Sequence, residues 1–222
     1  MTFELGYVKL TNRLNKSSTN DYVNIDFDPA SEAVNKAMSD WLRRTYHGSN
    51  QFKEGVEEST IRVDDLQIFL KSKKLSLESG SIFSDSTTLP SDYRYHNSFS
   101  FLDTSNSCGS PLLIPSNLRE ESNANFLLNT DGTRPSLQFE QCFHTLINNR
   151  LRLYHNGEFS ATEGTLVYYR NPKIYDLSTD GSFELKDDVM ELIIDEAAKI
   201  ISGDTGNMSG FQRNSQSVES NN

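Results

Sequence analysis

Leu151-Arg152-Leu153-Tyr154-His155-Asn156-Gly157 begins the stretch, Arg150 to Gly203, around which the rest of the chain reads. Apolar and polar side chains alternate through 151–155, the period of a half-buried strand. Asn156-Gly157 is a pair favoured at the centre of a type I′ turn, because both residues tolerate positive φ. A second run, Thr165-Leu166-Val167-Tyr168-Tyr169-Arg170, is rich in β-branched and aromatic residues. Asn171-Pro172 stops it, since proline has no N–H to give a ladder. Together the two runs predict a meander.

After a polar loop at 178–182, a helix is expected from Asp187, whose carboxylate can cap the first turn. At about 100° per residue, Val189, Ile193, Ala197 and Ile200 share one face, which Met190, Ile194, Ile201 and Leu192 widen. Asp188, Glu191, Asp195 and Lys199 form the opposite, polar stripe. So wide an apolar arc predicts contact with more than one neighbour, and Ser202-Gly203 ends the helix.

Length and composition bound the rest. A chain of 222 residues with 35% hydrophobic content is expected to form one domain with appendages. No run reaches the length of a membrane-spanning helix, and the first residues lack a signal-peptide layout, so a soluble protein made in a cytoplasm is expected. Cys108 and Cys142 carry no spacing pattern and read as free thiols. A formal net charge of -10 argues against phosphate binding as the main activity. It does suit a tube through which DNA must slide without being held.

Upstream, Phe3, Tyr7, Leu10 and Leu14 predict an amphipathic helix ending near Lys16. Asp28 as N-cap, Pro29 in the first turn and Gly48 at the far end mark a second, with Ala33, Val34, Ala37, Met38, Trp41 and Leu42 as its buried face. The helix at 187–201 is the expected partner of that face. Residues 67–77 and 93–102 read as extended, 103–136 as a long loop, and Asn148-Asn149 as another tight turn. Met208, Phe211 and Arg213 then stand out in a polar tail that reads as an arm ordering on a partner.

The sequence offers no catalytic, metal or cofactor motif. His47, His96, His144 and His155 lack the spacing of metal ligands. Asp64-Asp65 and Asp187-Asp188 begin helix-like segments, where the helix dipole favours negative charge. Phosphate loops and nucleophile elbows are missing. Arg43-Arg44 and Lys71, Lys73 and Lys74 read as solvated faces.

The order of segments carries a resemblance. Amphipathic helices lead into Leu89-Pro90-Ser91-Asp92-Tyr93, then residues 151–154, then 166–172, then Phe183-Glu184-Leu185-Lys186-Asp187-Asp188 and a long helix. This order resembles the head-to-tail adaptor proteins of short-tailed bacteriophages, the tail tubular protein A type, and more closely the connector ring proteins of crAss-like phages. The resemblance covers roughly 1–102 and 137–203.

It implies an α+β fold: a helical bundle carrying an inserted antiparallel β-sandwich or meander, with an extended C-terminal arm. The expected divisions are helices in 1–59, a β-rich insertion at 60–182, a helix at 183–203 packing on the first helices, and an arm at 204–222. The implied function is structural, in a virion and not enzymatic: a homo-oligomeric ring of twelve beneath the portal protein, continuing the DNA channel, docking further tail proteins and engaging no membrane. Val189, Ile193, Ala197, Ile201, Met208, Phe211 and Arg213 are the interface candidates, and Asp188, Glu191 and Asp195 the channel-facing ones. A carbohydrate- or receptor-binding module of a phage tail is the rival reading.

Overall fold

The computed structural model describes residues 1–16, 25–47, 64–103, 112–136, 141–204, 212 and 214–216. The chain divides into two compact units, one formed by 69–171 and the other by 1–68 together with 172–222.

Residues 69–171 form a closed barrel of seven strands: β1 Leu70–Ser79, β2 Phe83–Thr88, β3 Tyr93–Asp103, β4 Leu112–Leu118, β5 Phe143–Ile147, β6 Arg150–Tyr154 and β7 Ala161–Arg170. Their order around the barrel is β1-β2-β6-β5-β4-β3-β7. Six of the seven neighbouring pairs are antiparallel, and β1 closes against β7 from Leu70↔Tyr169 to Ser76↔Glu163. The exception is β4 with β5, parallel over only Asn117↔Phe143 and Leu118↔His144.

Alternation puts Leu75, Leu77, Phe99, Phe101, Ile114, Leu151, Leu153 and Leu166 in the lumen, all buried. Phe101 stacks on Phe159 with ring centroids 4.8 Å apart. Gly164 on β7 makes room for Phe99 on β3: a Cβ there would sit 2.3 Å from the ring's Cζ. Outside the lumen, Arg152 on β6 grips Asp85 on β2 through Nε at 2.7 Å and Nη2 at 3.0 Å, its guanidinium 4.0 Å above the Phe83 ring. Asn148 and Asn149 both take positive φ, 50° and 58°, in the two-residue turn between β5 and β6.

In the other unit lie α1 (Phe3–Asn15), α2 (Phe27–His47) and a C-terminal helix, Asp187–Asp204, named α4 below because the short α3 (Ala124–Asn129) precedes it on the barrel. Both α1 and α2 pack against α4. Ala30, Ala33 and Ala37 line the buried face of α2 with Val34, Met38 and Leu42, while Trp41 is only half-buried. The segment after β7 is tied to these helices by polar bonds. Asn35 Nδ2 donates to the Tyr175 carbonyl at 2.8 Å, and the Tyr175 N–H donates back to Asn35 Oδ1 at 2.9 Å. Phe3, Tyr175 and Phe183 meet edge to face, with centroids 4.9 to 5.4 Å apart.

The expected fold class is overturned: the β-rich part is a closed barrel, not an antiparallel sandwich or meander inserted in a helical bundle. The particular error is the pairing of 151–155 with 165–170. Asn156 and Gly157 do turn, at φ 48° and 76°, but the turn closes on β2's approach, where the His155 and Asn156 N–H groups both donate to the Ile82 carbonyl. β6 therefore pairs with β2 and β5, and β7 with β1 and β3. The loop expected at 103–136 contains β4 and α3. The tail is not wholly extended either, since buried Asn214 donates to Ser202 Oγ in the last turn of α4 at 3.1 Å.

Candidate functional site

The four interface candidates of α4 are core residues of their own unit: Val189, Ile193, Ala197 and Ile201 are all buried. α1 and α2 take up the wide apolar arc, so it needs no second subunit. Met208, Phe211 and Arg213 lie outside the described residues, as does Cys108.

The acidic candidates are used within the chain. Asp188 is exposed and accepts from the Val189 N–H at 2.9 Å. Glu191 receives Lys9 and, at 2.6 Å, Arg13 Nη2; Asp195, buried, receives Arg13 Nε. Burial would raise the Glu191 carboxyl, but the two cations outweigh it and hold the group below its ordinary range. Burial likewise opposes the charge of Arg13, and Asp195 and Glu191 outweigh it, raising that group. These carboxylates lock α1 to α4.

With the arc covered, the exposed apolar side chains of this unit lie elsewhere. The solvent face of α1 carries Leu5, 45% exposed, and Val8, 46%, one turn apart. Phe27, 44% exposed, packs on Tyr7 of the same helix with ring centroids 4.5 Å apart. The sequence reading of α1 named only Phe3, Tyr7, Leu10 and Leu14 and passed over these residues.

In the barrel, a polar chain runs through the lumen. Ser116 Oγ lies 2.9 Å from His144 Nδ1, and His144 Nε2 lies 3.0 Å from His96 Nε2. A single proton must lie between the two Nε2 atoms, so at least one ring is neutral. Burial first, and the facing His96 second, push the His144 ring down to about 3. Burial also lowers His96. His144 is fully buried, which suits a role in fixing β3, β4 and β5 rather than one in attack on a substrate.

This chain gives a pH prediction. Above about 6.5, His144 is neutral in the folded and unfolded states alike and favours neither. Below that value the unfolded chain takes up a proton that the folded ring refuses until about 3. Stability is therefore expected to fall with acidification across that window, at up to about 1.4 kcal/mol per pH unit from this group. Urea unfolding at pH 7 and 5.5 measures it. The loss should exceed that of His144→Gln by about 1 kcal/mol, and equal losses would remove His144 as its source.

A cavity of about 200 Å³ opens beside the short parallel β4–β5 pair, lined by Asn117, Arg119, Leu127, Gly132, Thr133, Gln141, Cys142 and Phe143. The connection from β4 to β5 must leave the barrel surface and return, and it carries α3 and a turn with Gly132 at φ 93°. Ala124 and Leu127 of α3 pack with Phe143 and Tyr154 as a satellite of the main core. Asn117 and Arg119 are held by their backbones, donating to the Cys142 and His144 carbonyls at 3.0 and 2.9 Å. The Cys142 thiol is buried; burial, with Asp103 nearby, pushes it up to about 12. A thiol so protonated is a poor nucleophile.

Among the described residues, no group of three or more His, Cys, Asp or Glu could hold a metal ion, and no helix is long and apolar enough to cross a membrane. Compared with known proteins, the chain matches no family model and no curated sequence.

Proposed function

We propose that the chain is a structural protein of a phage virion, the subunit of an adaptor ring at the head-to-tail junction that continues the DNA channel below the portal. The observation that carries this reading is the solvent face of α1. Leu5 and Val8, with Phe27 beside the same helix, leave apolar surface that a neighbouring copy would cover. Contact between such a face and a different surface of the next copy is heterologous, and twelve such contacts close a ring. The charge distribution supports the same reading. Nearly all of the net charge of -10 falls on 1–68 with 172–222, whereas acidic and basic residues almost balance in 69–171. Repeated around a ring, that excess repels DNA and lets it slide. Glu191 and Asp195 have no part in this, being neutralised by Lys9 and Arg13.

The test is the mass and image of the purified protein, alone and mixed with its portal. A ring stacking on the portal is expected. Val8→Glu should keep the fold, since the side chain faces solvent, and should lower ring formation about tenfold through a charge set into an apolar contact. A monomer that ignores the portal would overturn the reading in favour of the carbohydrate- or receptor-binding module.

A further inference from the structure

We infer that the cavity beside β4 and β5 is a binding site for a small organic carboxylate. Three polar side chains around it, Asn117, Arg119 and Gln141, are exposed and make no hydrogen bond or ion pair among the described residues. Other cations of the barrel meet a carboxylate: Lys71 has Asp92, Arg134 has Glu158 and Arg152 has Asp85. Among the described residues Arg119 has none, and none of those that line the cavity is acidic.

The walls are fixed before any ligand arrives. Asn117 and Arg119 are two residues apart on an extended backbone, so both project to the same side, and their N–H groups are held by β5 carbonyls. Gln141 is anchored by a reciprocal backbone pair with Ser136, at 2.9 and 3.0 Å. Thr133 Oγ1 donates towards the Leu127 and Thr130 carbonyls at 3.1 and 3.2 Å, which spends its proton inside the chain and leaves the hydroxyl an acceptor. Leu127 and Phe143 supply the apolar wall.

These groups select a class of ligand. One guanidinium presents a fork that matches a carboxylate with two parallel N–H bonds. A phosphate would bring a second charge with no second cation to meet it. The amides of Asn117 and Gln141 can hold hydroxyl or amide groups next to the carboxylate, and Phe143 and Leu127 can cover an apolar portion. At about 200 Å³ the cavity has room for a ligand the size of one amino-acid derivative or sugar acid. With Cys142 protonated and buried, the site binds its ligand without covalent chemistry.

The experiment is an NMR titration of the isotope-labelled full chain, read at the side-chain N–H groups of Asn117, Arg119 and Gln141. The probes are N-acetylphenylalanine, its carboxamide, glucuronate and inorganic phosphate. Saturable shifts at those groups with either carboxylate are expected, with the carboxamide and Arg119→Gln each weaker by about tenfold or more. Arg119 is exposed, so Arg119→Gln should leave the other signals in place. No saturable shift with either carboxylate, equal binding of acid and carboxamide, or tighter binding of phosphate would each overturn the inference. Ring formation rests on α1 and is read separately, so neither result decides the other.

Discussion

Phe99→Ala is expected to destabilise the barrel by about 4 kcal/mol, the cost of removing a buried aromatic side chain and leaving its cavity. The ring is 1% exposed, seats over Gly164 across β3 and β7, and lies 5.2 Å from the His144 ring at its other side. Neither side can collapse easily, because Gly164 is backbone in a ladder and His144 is held by Ser116 and His96. The reciprocal change, Gly164→Ala, should cost about 2 kcal/mol by overpacking, since its Cβ would meet the ring at 2.3 Å and the Ser100 carbonyl at 3.2 Å. In the Phe99→Ala background that clash with the ring is gone, and the added methyl group should be close to neutral. Denaturant melts of the four proteins, followed by far-ultraviolet circular dichroism, give the coupling. Additive losses would mean that the two positions do not form one packing unit.

Arg13→Ala is expected to cost about 3 kcal/mol by a different route, since it takes the guanidinium away from the buried Asp195 carboxylate beside α1. The side chain of Asp195 is 9% exposed and that of Arg13 27%, so water can relieve the pair only in part. Lys9 still meets Glu191 in the variant and leaves that carboxylate served. Trp41, the only tryptophan in the chain, sits on α2 and reports unfolding of this unit by fluorescence. Arg13→Met with Asp195→Leu should recover most of the loss, because an apolar pair of similar volume avoids the desolvation cost of the ion pair. A loss below about 0.5 kcal/mol, the usual range for an exposed pair, would show that the pair belongs to the solvated surface.

The helices were legible because each carries its own period and end signals. Phe3, Tyr7, Leu10 and Leu14 marked α1, and Asp28-Pro29 marked the start of α2 to within a turn, although the helix begins at Phe27 and Asp28 is in its first turn rather than its N-cap. Tight turns were legible too, as Asn148-Asn149 and Asn156-Gly157 both take the positive φ their side chains tolerate. What could not be read was which strands share a ladder. Asn156-Gly157 specifies a reversal, but the partner it turns towards is Ile82, some seventy residues upstream, and that choice lies in lumen packing. β4 was hidden for a related reason. Leu112-Leu113-Ile114-Pro115 holds a proline and sits among serines and asparagines, yet Pro115 faces outward opposite Ser100 while Ile114 fills the lumen.

The functional residues divide in the same way. The wide apolar arc on α4 read as contact with more than one neighbour, one of them another subunit, and two helices of the same chain cover it. Glu191 and Asp195 looked like a free stripe because their partners, Lys9 and Arg13, lie far away in sequence. Nothing in the sequence marked Arg119, whose place beside the cavity comes from the return of β5 to β4.

The barrel begins and ends on neighbouring strands, with Leu70 opposite Tyr169. The two points where the chain leaves and rejoins the flanking segments are thus about one strand spacing apart, ~4.8 Å. An insertion with adjacent ends makes little demand on its host, since a short peptide could bridge the same gap. Residues 69–171 therefore form a cassette that can be lost, gained or exchanged by recombination without rerouting the helices on either side. Change in the barrel and change in the helices can then proceed as separate evolutionary histories within one gene.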